Sequence, residues 1–80
     1  MIIKIEVGKM LQQVAKIPGE YTIEVEPGTK LGDALDLVNL SPTKNFLVGA
    51  VLIDNFRRKS DYILQPEDTL INVRGFFQGC

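Results

Sequence analysis

One stretch of this chain has a clear helical period. Leu31, Ala34, Leu35 and Val38 stand at i, i+3, i+4 and i+7 and form a single apolar stripe within a helix expected over 30–40. Thr29 is placed to cap its N-terminus and Asp33 favours the positive end of the helix dipole. Ser41-Pro42 ends it, because the residue before a proline is pushed out of helical geometry. The clear apolar patterns elsewhere have strand character, so the stripe must be buried against a sheet.

Ile3, Ile5 and Val7 alternate with Lys4 and Glu6, which predicts a strand over 2–8 with one buried face. Residues 9–17 fit two readings. Met10, Val14 and Ile17 have helical spacing, which favours a short helical turn, yet the same residues fit an extended hairpin. Pro18-Gly19 suits the centre of a type II turn, with positive φ expected at the glycine. Tyr21, Ile23 and Val25 then alternate with Thr22, Glu24 and Glu26, giving a second strand that pairs with the first and closes at Pro27-Gly28. The continuous apolar run 46–53 predicts a central strand buried on both faces, with Gly49 marking a bulge or a close backbone contact. Asp54-Asn55 begins a turn and Tyr62-Ile63-Leu64 is a short apolar patch. Gln65-Pro66-Glu67-Asp68 is another turn, before a last strand over 69–73. The order is that of an α+β, β-grasp (ubiquitin-like) domain, with one main helix on one face of a small mixed sheet. Leu31, Leu35 and Val38 are expected to pack on Ile3, Ile5, Ile23, Val51 and Ile71. The domain is expected over 1–73, with a flexible C-terminal tail over 74–80.

Eighty residues make one domain, and 45% apolar content supports a core without disulfides or metal. With no His and one Cys, zinc and iron–sulfur sites lack ligands. Nine basic against ten acidic residues give a net charge of −1, which offers no broad attraction for nucleic acid or anionic lipid. One cysteine and no signal pattern point to the cytoplasm. Asp33 and Asp36 lie on the polar helix face without an acid or base partner, and Lys4, Lys9 and Lys16 have no phosphate-binding glycine motif nearby. No catalytic constellation remains, so the chain is not read as an enzyme, and the reachable C-terminal end instead suggests a carrier or docking protein. Arg57-Arg58-Lys59 is either a solvated loop or a site for a phosphate or acidic partner. Phe76-Phe77 either anchors the tail in a partner's groove or folds back on the sheet.

The element order, the run Val51-Leu52-Ile53-Asp54-Asn55, the turn Leu64-Gln65-Pro66-Glu67-Asp68 and the glycine near the terminus resemble the ThiS/MoaD family of ubiquitin-like sulfur carriers. The similarity spans all 80 residues, and the length is closer to the molybdopterin-synthase small subunit than to the thiamine carrier. Two positions depart from the family pattern. An Asn-Gly turn reads Asn55-Phe56, and a terminal Gly-Gly reads Gly79-Cys80.

The resemblance implies that the terminal carboxylate is adenylated by a ubiquitin-activating-type enzyme using ATP and becomes a thiocarboxylate. That group then gives its sulfur to a synthase subunit in molybdopterin (molybdenum cofactor) or thiamine biosynthesis, and the carrier itself holds no cofactor. Gly79 and Cys80 would be the carrier terminus, and Arg74, Gly75, Phe76, Phe77 and Gln78 the partner-binding tail, which spans at most roughly 23–25 Å from Arg74 when extended. Charge clustering alone, apart from the resemblance, makes Arg57, Arg58 and Lys59 a candidate partner-binding loop. A terminal glycine threads a narrow channel, whereas the Cys80 side chain adds bulk there. Cys80 is therefore an incidental thiol, a residue removed to expose Gly79, or a persulfide carrier. With an ordinary thiol pKa of ~8.5 and a carboxylate beside it, its unassisted nucleophilicity is poor. The other class of reading is a non-covalent β-grasp protein-interaction module.

Overall fold

Ile3, Ile5 and Val7 are buried and Ile2 and Lys4 exposed, as period-two alternation requires of a strand covered on one face. The computed structural model describes residues 1–76. Its elements are β1 (Ile2–Val7), α1 (Lys9–Ala15), β2 (Glu20–Glu24), α2 (Leu31–Asp36), β3 (Val48–Ile53), β4 (Phe56–Arg57) and β5 (Leu70–Gly75). They form a five-stranded mixed sheet in the order β2-β1-β5-β3-β4. β5 lies in the middle, parallel to β1 and antiparallel to β3, and the two edges are made by the antiparallel partners β2 and β4.

One face of the sheet carries the core. Ile3, Ile5, Ile23, Val51, Ile53, Ile71 and Val73 meet Leu31, Ala34 and Leu35 of α2, with Val38 partly buried at its edge, so the expected helix-on-sheet packing is present. α2 is shorter than its apolar stripe. Asn39 takes a left-handed φ of 61° and the Leu40 N–H donates to the Leu35 carbonyl at 2.9 Å, a Schellman-type closure that ends the helix before Ser41-Pro42 is reached. Thr29 does not cap the helix, because its hydroxyl donates to the Glu26 carbonyl at 2.7 Å. The Leu31 and Gly32 N–H groups are satisfied by the Tyr62 and Ser60 carbonyls at 2.8 and 3.0 Å. The long loop before β5 thus does the work of a cap and fixes that loop to α2.

α1 takes the helical alternative for 9–17, but it faces the core differently from the expected pattern. Leu11 is its buried residue, whereas Met10 and Val14 are exposed. Its chain reversal is made by Lys16 at φ 56°, and Gly19 does not take the positive φ of a type II turn. β3 is an interior strand without two buried faces: Val48, Val51 and Ile53 are buried while Gly49, Ala50 and Leu52 are half-covered, and Phe46 stands in the preceding turn, 84% exposed. Asp54 and Asn55, at φ 53° and 65°, form a two-residue hairpin loop into β4, a strand the sequence did not announce. β5 runs through Arg74 and Gly75, so these two residues of the expected tail belong to the sheet.

Candidate functional site

The end of β5 is built by two glycines. Gly75 pairs with Val48 and packs so closely on α1 that a Cβ there would lie 3.2 Å from the Leu11 Cβ. Gly49 sits where the β3–β5 register shifts, and a Cβ on it would lie 2.7 Å from the Phe76 Cα. The expected bulge and the expected close contact are thus one feature. The Phe76 N–H donates to the Leu47 carbonyl at 2.8 Å. Arg74 is exposed, in register with Ala50. Of the expected tail, Phe77, Gln78, Gly79 and Cys80 lie outside the described residues.

The other side of Gly49 opens into a groove of about 690 Å³. It is lined by Gly49, Ala50 and Val51 of β3, by Pro42 and Thr43, and by residues 57–61. Arg57 reaches along the strand, and its Nη2 donates to the Gly49 carbonyl at 3.1 Å. The Arg58 guanidinium lies over the Tyr62 ring at 4.8 Å and near the Phe56 ring at 5.7 Å, a cation–π clamp that holds it beside the groove. The Lys59 carbonyl accepts from the Tyr62 N–H at 3.0 Å. The side chains of Arg57 and Arg58 are thus held by contacts, while all three residues of the basic run are exposed.

No family model, characterised protein or solved structure matches this chain.

Tyr62 connects the basic run to the rest of the fold. Its hydroxyl donates to Asp68 Oδ2 at 2.8 Å, and the same oxygen accepts the Gln65 N–H at 2.8 Å. Asp68 is buried with both contacts made, closing the expected 65–68 turn, whose Asp68 N–H also donates to the Gln65 carbonyl at 2.9 Å. Donation to Asp68 holds the Tyr62 phenol above its ordinary pKa, burial adds to this, and the Arg58 charge opposes it. In the sequence Tyr62 falls within the apolar patch Tyr62-Ile63-Leu64. The available signal was a phenol six positions before an aspartate in a tight turn.

Among the described residues no group of His, Cys, Asp or Glu is arranged to hold a metal ion, and no helix is long and apolar enough to cross a membrane. The structure thus brings Arg57, Arg58 and Lys59 to the groove lining and places Arg74, Gly75 and Phe76 across β3 from it, with Gly49 touching both.

Proposed function

We propose that this chain is a ubiquitin-like β-grasp carrier of the ThiS/MoaD kind, whose C-terminal segment is presented to partner enzymes. The observation that carries the reading is the strand order β2-β1-β5-β3-β4 with a parallel β1/β5 pair and α2 across one face. In that order the last strand lies mid-sheet and hands the chain outward from a fixed point. Gly75 and the Phe76–Leu47 hydrogen bond set that point. Because β5 includes Arg74 and Gly75, residues 76–80 reach at most about 17–18 Å beyond it when extended, shorter than a tail counted from Arg74.

In the proposed cycle a terminal carboxylate oxygen attacks the α-phosphorus of ATP in the active site of an adenylating enzyme, and pyrophosphate leaves. A sulfide-level donor then attacks the acyl carbon and expels AMP, leaving a thiocarboxylate. The carrier supplies position and the partner supplies the acid–base and phosphate chemistry. Gly79 offers no side chain to a narrow channel, whereas Cys80 fills it, so the cycle runs either on Gly79 after removal of Cys80 or on Cys80 itself. The partners in this reading are a ubiquitin-activating-type adenylating enzyme and a sulfur-accepting synthase subunit of molybdopterin- or thiamine-type biosynthesis.

Intact mass spectrometry tests it. After incubation with ATP, sulfide and a ubiquitin-activating-type enzyme from the same organism, the expected product carries one sulfur in place of one carboxylate oxygen, on Gly79 or on Cys80. On the intact chain, Cys80→Gly should speed its formation. If neither species forms while deletion of residues 76–80 abolishes tight binding to a partner, the chain is a non-covalent docking module. The groove lined by basic residues already favours that second reading.

A further inference from the structure

We propose that the groove along β3 binds an extended, acidic segment of a partner protein, which adds to the open edge of β3 and places its carboxylates against Arg57, Arg58 and Lys59. This does not rest on the carrier reading, since it involves neither the chain terminus nor any covalent change.

Three observations carry it. First, the edge is incomplete. β4 pairs only with Leu52 and Ile53, and the ladder goes one step further through the Arg58 N–H, which donates to the Val51 carbonyl at 2.9 Å. At Gly49 the carbonyl accepts instead from a guanidinium, that of Arg57. An arginine therefore holds the position that a strand N–H would take in an extended sheet.

Second, the three cations have no ion-pair partner among the described residues. The ion pairs among the described residues join Lys4 to Glu6 and Glu20, and Lys44 to Asp36. Arg57, Arg58 and Lys59 have no carboxylate within ion-pair distance there, and Asp61 is the one acidic residue of the groove lining. The cation–π clamp occupies the face of the Arg58 guanidinium and leaves in-plane donors, which suit a carboxylate.

Third, the two features select one class of ligand. A free phosphate satisfies the cations but offers no strand of N–H groups to the Gly49 carbonyl. A peptide supplies both, its backbone N–H replacing Arg57 at Gly49 and its side-chain carboxylate receiving the displaced guanidinium. The opposite edge is the natural contrast, because β2 carries the exposed Glu20 and Glu24, only Glu20 being paired among the described residues, to Lys4, and presents no run of cations to the same peptide.

The test is a nitrogen-15 amide titration of the full chain with a short end-blocked peptide of alternating Glu and Val. The expected shifts are confined to Gly49, Ala50, Val51 and residues 57–61, and they weaken as salt is raised. A Gln/Val peptide and the Arg57→Gln/Arg58→Gln/Lys59→Gln variant should each bind about tenfold or more weakly. Asp61→Asn should bind more tightly, and it provides a readout should the triple variant melt early. The proposal is overturned if the groove amides do not move, if the β2 edge responds equally, or if the Gln/Val peptide binds as well. It is likewise overturned if inorganic phosphate alone reproduces the shifts.

Discussion

Replacing Gly49 with Ala places a methyl group where the structure has main chain. The added carbon would stand 2.7 Å from the Phe76 Cα and 3.0 Å from both the Gly75 carbonyl oxygen and the Phe76 nitrogen. Non-bonded carbons rest about 3.5–4.0 Å apart, so the two strands must separate by close to an ångström at this point. Neither side yields easily. Gly75 is already pressed on Leu11, and the Phe76 N–H is bonded to Leu47. Overpacking of this kind costs about 1–3 kcal/mol. Gly49 has no positive φ, so alanine also recovers about 0.4–1 kcal/mol by restricting the unfolded chain. A net loss of about 1–2 kcal/mol remains, set against a whole stability of about 4–12 kcal/mol for a domain of 80 residues. Urea denaturation with an unchanged m-value reads the stability, and amide exchange at Phe76 reads the strand exit, which should exchange faster. Gly75→Ala is the milder control, since its Cβ would meet a side-chain atom at 3.2 Å. A Gly49→Ala protein as stable as its parent, with Phe76 equally protected, would show that the two strands do not meet as described.

Leu35→Ala empties a fully buried site between α2 and the sheet and should cost about 2–5 kcal/mol by urea denaturation, while a change under about 0.5 kcal/mol would put that helix face in solvent. Asp68→Ala leaves the Tyr62 hydroxyl and the Gln65 N–H without their acceptor and should cost about 1–3 kcal/mol, with the Tyr62 titration moving back toward its ordinary range in an ultraviolet absorbance titration. Because folding raises the Tyr62 pKa, its contribution to stability is fully present below the ordinary tyrosine pKa of about 10 and is lost as pH rises through the folded value. Tyr62→Phe should therefore show a shallower alkaline loss of stability than the parent, and identical profiles would remove Tyr62 from that role.

What the sequence revealed and what it hid have physical causes. Alternation at Ile3, Ile5, Val7 and at Tyr21, Ile23 announced β1 and β2, because each has one covered face. The stripe of α2 was legible, but its end was not, since Val38 continues the apolar period while Asn39 has already turned left-handed. In α1 the apolar spacing of Met10 and Val14 marks an exposed face, and Leu11, outside that spacing, reaches the core. β4 left no pattern, being two exposed residues held by a hairpin loop. The Arg57-Arg58-Lys59 run was visible as charge. The groove was not, because Pro42, Gly49 and Ser60 come together only when the loop before β5 docks on α2.

The placement of β5 also sets how the domain answers to force. Its ladder with β1 is parallel and joins Lys4–Val7 to Leu70–Val73. A pull applied at Ile2 and at Gly75 therefore draws the two strands past each other and loads all the hydrogen bonds between them together. Antiparallel neighbours gripped at one shared end would instead unzip bond by bond. Force entering the fold at Gly75 therefore loads the middle strand of the sheet rather than an edge.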